Sequence, residues 1–414
     1  MTARKWPQLP HLGAFVLLGV LLSMIGPLIP SWADDLGRRP GSLGLLFSAQ
    51  AIGYSLGALA TGPVVDARRG DRVLAAGVGL GAVGCALLPF LESWDQLLAV
   101  VALLGWAAGM IDVSANTLVS RESTDEGRPR NMNTLHMTFG LGAVVTPFAV
   151  AATSSWFGRS ASIGFVVAAP AAALAAFLVA RSSGQPVRPR PVAVSVSVPI
   201  AAGVDAGVDA PPPETMAHTS PHPWILAAIG LFYVLYVGIE LGFAGWITSF
   251  GVLRGFDDAG AAALTTTFWA SFVLGRVLAI PLSDRVRPFT LIIGGCVTGI
   301  LAAVIMAIGA EVTAVVWITT AIFGLSMAPL FASMLTHVQA RAPFAGASTS
   351  WLIAAAGLGS LVLPYLLGRI IDASGASGMP WAVAALTGMT LAWALVLDRL
   401  VLSPRASDRS PRAG

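Results

Sequence analysis

The chain has 414 residues, of which 56% are hydrophobic and only 11% are charged, and its formal net charge is +3. Soluble domains average about 25% charged residues, so this composition excludes an ordinary soluble protein and indicates an integral membrane protein. The basic residues are spread over short loops rather than gathered in a patch, which argues against a nucleic-acid partner. Both cysteines lie in apolar segments without metal-ligating neighbours, so we expect packing roles for them and no metal site.

Hydropathy predicts twelve transmembrane helices, because twelve apolar runs are each long enough to cross a bilayer and are separated by polar, Gly or Pro residues. We interpret the first run as a retained helix rather than a signal peptide, since it is long and equally apolar runs follow it. The predicted spans are 11–32, 43–65, 73–91, 97–119, 132–153, 160–180, 224–250, 259–282, 289–310, 313–338, 344–368 and 380–401.

Arginine and lysine residues predict which span ends face the cytoplasm. Placing both termini inside puts 18 of the 24 basic residues in inside segments and five in outside loops, while Arg276 lies within a span. Cytoplasmic loops carry such an excess of basic residues in membrane proteins. We therefore expect both termini in the cytoplasm. The abundance of Ala, Gly and Arg with a single Lys favours a bacterial plasma membrane.

A proline-rich, low-complexity segment at 182–223 separates the first six spans from the last six. It contains three consecutive prolines and a repeat of Ala-Gly-Val-Asp, and this composition predicts a disordered linker. The predicted domains are an N-terminal six-helix half at 1–181, the linker, a C-terminal half at 224–401 and a cytoplasmic tail at 402–414. Two such halves joined by a long inside loop are typical of transporters with a binding site between the halves.

The loop after the second span of each half carries acidic and basic residues. The first loop, Gly-Pro-Val-Val-Asp followed by Gly and Arg, resembles the signature loop of the major facilitator superfamily, where the Asp steadies one state of the gate. In this chain the basic residues are shifted by one position, and the second loop lacks the leading Gly. Ordinary charged loops are the alternative interpretation. The resemblance implies gating roles for four residues in these loops: Asp66, Arg72, Asp284 and Arg285.

The seventh predicted span carries a carboxyl group near its centre. At that depth the side chain of Glu240 costs about 2.5–3.5 kcal/mol even on the mildest insertion scale, so it indicates a functional site. On a 3.6-residue period Glu240 shares one helix face with Tyr233, Tyr236 and Phe243. A carboxyl group among aromatic rings predicts a binding cavity rather than a surface that faces lipid.

Asp112 is a second carboxyl group within a span, the fourth. It shares one helix face with Gly105, Gly109 and Asn116, and small residues on such a face allow a neighbouring helix or a ligand to approach closely. Two interpretations stay open at this point. Either Asp112 serves the transport site, or it holds another helix by a hydrogen bond.

Further candidates lie in the second, fifth and eighth spans. Gln50 and Tyr54 are one turn apart, and His136 lies near the start of its helix, where a lone His is more often structural than a proton carrier. Trp269 and Arg276 share one stripe of the eighth span. Because Arg276 lies near the end of that span, a gating or structural role suits it at least as well as substrate contact.

These segments resemble one branch of the superfamily. The acidic-x-x-x-Asn element of span four and the opening of span five are similar to the fucose–proton symporters, whereas spans seven and eight look more like the sodium-dependent glucose transporter-like proteins. The resemblance implies that Asp112 and Glu240 couple transport to a proton or a sodium ion. The predicted substrate contacts are Gln50, Tyr54, Asn116, His136, Tyr236, Glu240, Trp246 and Trp269.

We therefore predict an all-α membrane protein with twelve transmembrane helices in two pseudo-symmetric six-helix halves, the major facilitator fold. The predicted function is secondary active transport of a small solute, a sugar or similar polyhydroxylated compound, by proton- or sodium-coupled alternating access. Proton-antiport efflux of amphipathic drugs or metabolites is the alternative transport function. A membrane receptor that binds a solute without transporting it is the alternative from another class.

We expect no enzymatic activity, because the sequence shows no nucleophile–base constellation and no metal-ligand cluster. Histidines such as His11 and His337 are isolated from acidic residues in the sequence. We also expect a monomer in the lipid bilayer, with a small-molecule substrate, a coupling ion and no other cofactor.

Overall fold

The computed structural model describes residues 9–66, 70–124, 128–157, 163–182, 223–341 and 346–401. The described residues form 14 α-helices and no β-strand. In chain order the helices are α1 Leu9–Ser23, α2 Ile25–Asp35, α3 Leu45–Asp66, α4 Gly70–Leu87, α5 Trp94–Glu122, α6 Arg128–Phe157, α7 Ile163–Ser182, α8 Pro223–Leu253, α9 Asp258–Ser283, α10 Pro288–Gly309, α11 Thr313–Met327, α12 Leu330–Gln339, α13 Gly346–Ser374 and α14 Gly378–Val396.

The helices follow the predicted spans to within a few residues. Among the described residues, ten helical segments are long and apolar enough to cross a membrane, and α1 with α2 makes an eleventh that bends by 43°. The remaining predicted span, the sixth, is α7, whose described apolar part, Val166–Val179, is shorter. Nearly all of the predicted linker and the whole predicted tail lie outside the described residues.

Proline explains the breaks in two spans. Pro27 has no N–H to donate to the carbonyl group of Ser23, four residues earlier, and the helix breaks at that point between α1 and α2. Pro329 likewise leaves the carbonyl group of Leu325 without its helical donor, and the tenth span is divided there into α11 and α12. Both breaks lie within single hydrophobic runs.

Glycine allows close backbone contact between the second and fourth spans of each half. A Cβ atom on Gly105 of α5 would collide with the carbonyl oxygen of Gln50 on α3, and one on Gly109 would collide with that of Tyr54. In the second half, a Cβ atom on Gly324 of α11 would lie 2.6 Å from the carbonyl oxygen of Phe268 on α9. The same packing therefore recurs in the two halves, as pseudo-symmetry predicts. The small face of α5 meets a helix rather than a ligand.

The two halves are joined mainly on one side of the molecule. We define the linker side as the side where α1 and α8 begin, and the far side as the opposite one. In the described part of the chain, α1 packs mainly on α4, α5, α6 and α7 of its own half, whereas α2 reaches α8 and α9 of the other half. Helix α13 contacts α3 and the short 3-10 helix Pro40–Gly44, and α6 contacts α9. The far side is thus closed.

The glycine contacts generate a stability prediction. We expect Gly105→Ala to lower the melting temperature of the detergent-solubilised protein, because overpacking a tight contact costs about 1–3 kcal/mol. Thermal unfolding followed by tryptophan fluorescence measures the effect. Gly388→Ala in α14 is the matched control, since no atom of the described residues lies within 4 Å of its Cβ position. Equal melting temperatures for the two variants would contradict the packing role.

Candidate functional site

Glu240 lies at the centre of α8 and is fully enclosed by protein, with 0% of its surface exposed. In the described part of the chain, neither of its carboxyl oxygens has a partner at hydrogen-bonding geometry. Most buried polar groups in proteins are hydrogen-bonded, so a buried carboxyl group without a partner indicates a site rather than a structural contact. Its burial places Glu240 in the protein interior, and the binding cavity remains a prediction.

Two other polar groups near Glu240 are also buried without a hydrogen-bond partner among the described residues. They are the indole nitrogen of Trp269 on α9 and the hydroxyl group of Tyr236, which interacts with Glu240 one helical turn away on α8 without reaching hydrogen-bonding geometry. The positive charge of Arg276, also on α9, acts on both Tyr236 and Glu240. The site therefore combines the carboxyl group of Glu240, the guanidinium cation of Arg276 and two hydrogen-bonding aromatic side chains.

Aromatic rings hold Trp269 and Arg276 in place. The ring of Trp269 lies edge-on to Phe268 and Phe272 of its own helix, with centroids 5.2 and 5.7 Å apart, and to Phe139 of α6 at 6.4 Å. The guanidinium carbon of Arg276 lies 4.5 Å from the ring centroid of Phe272, a cation–π geometry. Phe139 belongs to the first half and Trp269 to the second, so the site lies where the halves meet.

His136 brings the first half into the site. Its Nδ1 atom is buried without a hydrogen-bond partner in the described residues, and its ring lies edge-on to Phe15 of α1 at 5.4 Å. The charge of Arg276 acts on the imidazole across the contact between α6 and α9. The packing of these two helices is close, because a Cβ atom on Gly140 would lie 2.7 Å from the side chain of Val273.

Two residues of the predicted aromatic stripe on α8, Tyr233 and Phe243, pack against other helices. The hydroxyl group of Tyr233 donates to the carbonyl oxygen of Phe331 at 3.3 Å, and the ring of Phe243 stacks on Phe323 at 4.3 Å. Both residues therefore fill the contact of α8 with α11 and α12. Only Tyr236 and Glu240 of the stripe keep polar atoms without partners in the described residues.

Asp112 differs from Glu240, because its carboxyl group is hydrogen-bonded on both oxygens. The hydroxyl group of Tyr54 donates to Oδ2, and the amide of Asn116 donates to Oδ1 at 2.8 Å. The amide of Gln50 donates to the carbonyl oxygen of Leu21 at 2.8 Å. These bonds support the interpretation that Asp112 holds α3 against α5. Its coupling role, and substrate contacts by the other three, remain predictions.

Trp246 lies in the far-side contact between the halves rather than beside Glu240. Its indole nitrogen donates to the carbonyl oxygen of Pro364 at 2.7 Å, and its ring lies edge-on to Phe47 at 5.8 Å. Six residues of helix separate Trp246 from Glu240, which is about 9 Å along the axis. Its one hydrogen-bonding group is used within the protein, so the structure gives the predicted substrate contact no support.

The predicted gating residues lie on the linker side, except Arg276 in the interior. Helix α3 ends at Asp66, whose side chain lies outside the described residues. Arg72, Asp284 and Arg285 are exposed to solvent or headgroups. The structure does not test a gating role for these residues, and that role remains a prediction.

His11 and His337 are isolated from acidic residues in the sequence, but the fold places each of them beside an aspartate. His11 Nε2 lies 3.3 Å from Asp71, and His337 Nε2 lies 2.8 Å from Asp398. Among the described residues, each half thus has a His–Asp pair on the linker side in which the histidine is buried. Sequence reasoning missed both pairs because the partners are 60 and 61 residues apart.

Comparison with known proteins agrees with this architecture. Residues 12–349 match the family profile of the Major Facilitator Superfamily. Sodium-dependent glucose transporter 1A of Mus musculus is 24% identical over 392 residues, which cover 86% of this chain and 87% of the mouse protein. Sodium-dependent glucose transporter 1 of Homo sapiens is 25% identical over 86% of this chain and 71% of the human protein.

Two solved structures share the fold. A bacterial homologue of the human lysosomal transporter Spinster, in an inward-facing and occupied conformation, superposes with a TM-score of 0.75 at 15% identity over 99% of both chains. The nucleoside transporter NupG superposes with a TM-score of 0.70 at 16% identity, over 94% of this chain and 98% of its own. Together with the apolar helical spans of the described residues, the family match over most of the sequence shows that this chain belongs to the Major Facilitator Superfamily and is a multi-pass secondary transporter.

Proposed function

We propose that this protein is a symporter that uses a proton or sodium gradient to move a sugar or a similar polyhydroxylated solute, with Glu240 as the coupling carboxyl group. The observation that carries the proposal is the enclosure of Glu240 at the centre of α8 without a hydrogen-bond partner in the described residues. Acidic residues at such depth are rare in membrane proteins and mark ion and substrate pathways.

Glu240 can be either protonated or ionised in this site, because Arg276 lies near enough to balance the charge of the ionised form. A protonated Glu240 is neutral and is compatible with its enclosed position among aromatic rings. An ionised Glu240 needs a counter-charge, because an isolated charge is not tolerated in an apolar interior, and either Arg276 or a bound sodium ion supplies it. The two states offer different hydrogen bonds to a solute at the same place. Ion binding and solute binding are therefore linked.

The groups beside Glu240 suit a polyhydroxylated solute. The rings of Tyr236 and Trp269 offer apolar faces to the C–H surface of a sugar, while their O–H and N–H groups can bond its hydroxyl groups. Sodium-dependent glucose transporters of mouse and human are among the relatives. The chemistry of the site and these relatives both favour a sugar over an amphipathic drug.

Transport proceeds in this proposal by rocking of the two halves about the site, and the state described has its far side closed. We place the linker side in the cytoplasm of a bacterial cell, because most of the basic residues lie in segments on that side. In this orientation the site exchanges solute with the cytoplasm, because the far side is closed. We also propose that a monomer is sufficient for transport, since both halves of the site come from one chain.

The substrate class is tested by current recording on proteoliposomes fixed to a solid-supported membrane. We expect a current when sugars are added, and replacing sodium by choline identifies the coupling ion. A panel of cationic drugs is applied separately. Silence to all sugars together with drug-evoked proton movement would overturn the proposal and leave proton-antiport efflux in its place.

Replacing the coupling carboxyl group should separate accumulation from exchange. We expect Glu240→Gln to abolish ion-driven accumulation of the solute, since the amide cannot carry a proton or a full negative charge. Exchange of solute across the membrane should survive, because the amide keeps the shape of the side chain. Uptake of radiolabelled solute, with and without an ion gradient, measures both activities.

Glu311→Gln is the matched control for this experiment. Glu311 is exposed on the far side and pairs with Arg254 at 2.8 Å, so losing its charge removes a surface ion pair only. Accumulation should persist in that variant. Full accumulation in Glu240→Gln would exclude the coupling role of Glu240.

Asp112 should behave differently from Glu240. We expect Asp112→Ala to lower thermal stability, because it removes the carboxyl oxygens that accept from the hydroxyl group of Tyr54 and the amide of Asn116. Losing a buried acceptor costs about 1–3 kcal/mol, and Asn116 keeps its second acceptor, the backbone carbonyl oxygen of residue 112. Glu240→Gln breaks no such network and should retain its melting temperature. An Asp112→Ala protein with unchanged stability but no coupling would instead assign Asp112 to ion coupling.

A further inference from the structure

A hydrogen bond joins the two halves on the far side. The backbone N–H of Gly41 donates to a carboxylate oxygen of Asp372 at 2.9 Å. Gly41 lies in the short 3-10 helix before α3, and Asp372 lies in the last turn of α13. We propose that this contact is the latch that keeps the far side closed, which makes Asp372 and Gly41 gating residues of the transport cycle. The proposal rests on the superfamily assignment and not on the identity of the substrate.

The surroundings of Gly41 show that the closed state requires a glycine at this position. A Cβ atom on Gly41 would collide with the carbonyl oxygen of Gly368 and would lie 2.5 Å from the carboxylate of Asp372. Gly41 is not among the described glycines with positive φ, so its backbone conformation accepts alanine. The obstruction therefore comes from α13 alone and disappears when the halves separate.

Other contacts along the same line act with the latch. The hydroxyl group of Ser48 donates to the carbonyl oxygen of Leu361 at 2.7 Å, again from α3 to α13. Further along the line, a Cβ atom on Gly26 of α2 would lie 2.7 Å from the carbonyl oxygen of Gly245 on α8. The backbones of the two halves thus contact each other on the far side, and the carboxylate of Asp372 is the charged group that joins them.

A gate must also open, and the surroundings of the latch allow its hydrogen bond to be replaced when the halves separate. A cavity of about 320 Å³ borders Asp372 and is also lined by Arg39, Ser42, Arg369 and Ala373. The two arginines are exposed and Asp372 is half-buried. When the halves separate, water and these guanidinium groups can replace the N–H of Gly41 as partners of the carboxylate. A charge-assisted hydrogen bond of this kind is strong enough to bias the equilibrium without locking it.

The test measures the conformational equilibrium directly and needs no substrate. Spin labels are attached in pairs to exposed positions, in a background whose two native cysteines are replaced by alanine. The far-side pair is Glu92→Cys with Val312→Cys, and the linker-side pair is Arg130→Cys with Arg287→Cys, so each pair has one label in each half. Double electron–electron resonance then gives both distance distributions in proteoliposomes.

We expect both Gly41→Ala and Asp372→Ala to lengthen the far-side distance and shorten the linker-side distance. The ratio of far-open to far-closed protein should rise about tenfold or more, as expected when a charge-assisted hydrogen bond is lost. Gly388→Ala is the matched control and should leave both distributions unchanged, because no atom in the described residues lies within 4 Å of its Cβ position.

Asp372→Asn separates the hydrogen bond from the general effect of removing a charge. The amide oxygen still accepts from Gly41, so we expect a shift much smaller than that of alanine. Unchanged distances in both Gly41→Ala and Asp372→Ala would overturn the latch. A shift in Gly41→Ala alone would limit the effect to steric contact and overturn the role of Asp372. Equal shifts in Asp372→Asn and Asp372→Ala would overturn the hydrogen bond as its cause.

Discussion

Direct contact between helix backbones holds this structure together, both within each half and between the halves. Lipid tails are as apolar as leucine side chains, so helices in a bilayer associate through close packing and polar contacts rather than through the hydrophobic effect. Glycines supply that closeness within each half, between α3 and α5 and between α9 and α11. The same chemistry operates between the halves, where Gly26 faces Gly245 and Gly41 faces Gly368. The contact that we propose as the latch is therefore of the same kind as the contacts that hold each half together.

Packing gives most buried polar groups a hydrogen-bond partner. A buried polar group that lacks one therefore indicates a candidate functional site. Asp112 and Glu240 are both carboxyl groups in the middle of a span, and both are fully buried. The difference between them is the set of side chains around each carboxyl group. Asp112 meets a tyrosine and an asparagine that bond it, whereas Glu240 meets rings and the charge of Arg276. The satisfied oxygens of Asp112 fit a structural role, whereas Glu240 is the carboxyl group that we propose for ion coupling.

The spans were predictable because each is an apolar run of the length that a bilayer requires. The burial of Glu240 was predictable from its cost in lipid. Helix rotation was not predictable, because it depends on packing partners far away in the sequence. The packing of Trp246 against Phe47 and its hydrogen bond to the carbonyl oxygen of Pro364 were therefore not foreseen, and its predicted substrate contact remains a prediction. The contact between Gly41 and Asp372 joins residues 331 positions apart, and no local pattern reveals it.

The break at Pro27 allows the first span to pack within its own half and also to contact the other half on the closed far side. Helix α1 stays against its own half, and the 43° bend carries α2 toward α8 and α9 of the other half. A straight span would have to move as one unit with the rest of its half. A span with an interrupted hydrogen-bond ladder can change its bend at lower cost, because no backbone donor exists at Pro27 to be broken. The first span can thus follow the far-side contact while its linker-side portion keeps its packing.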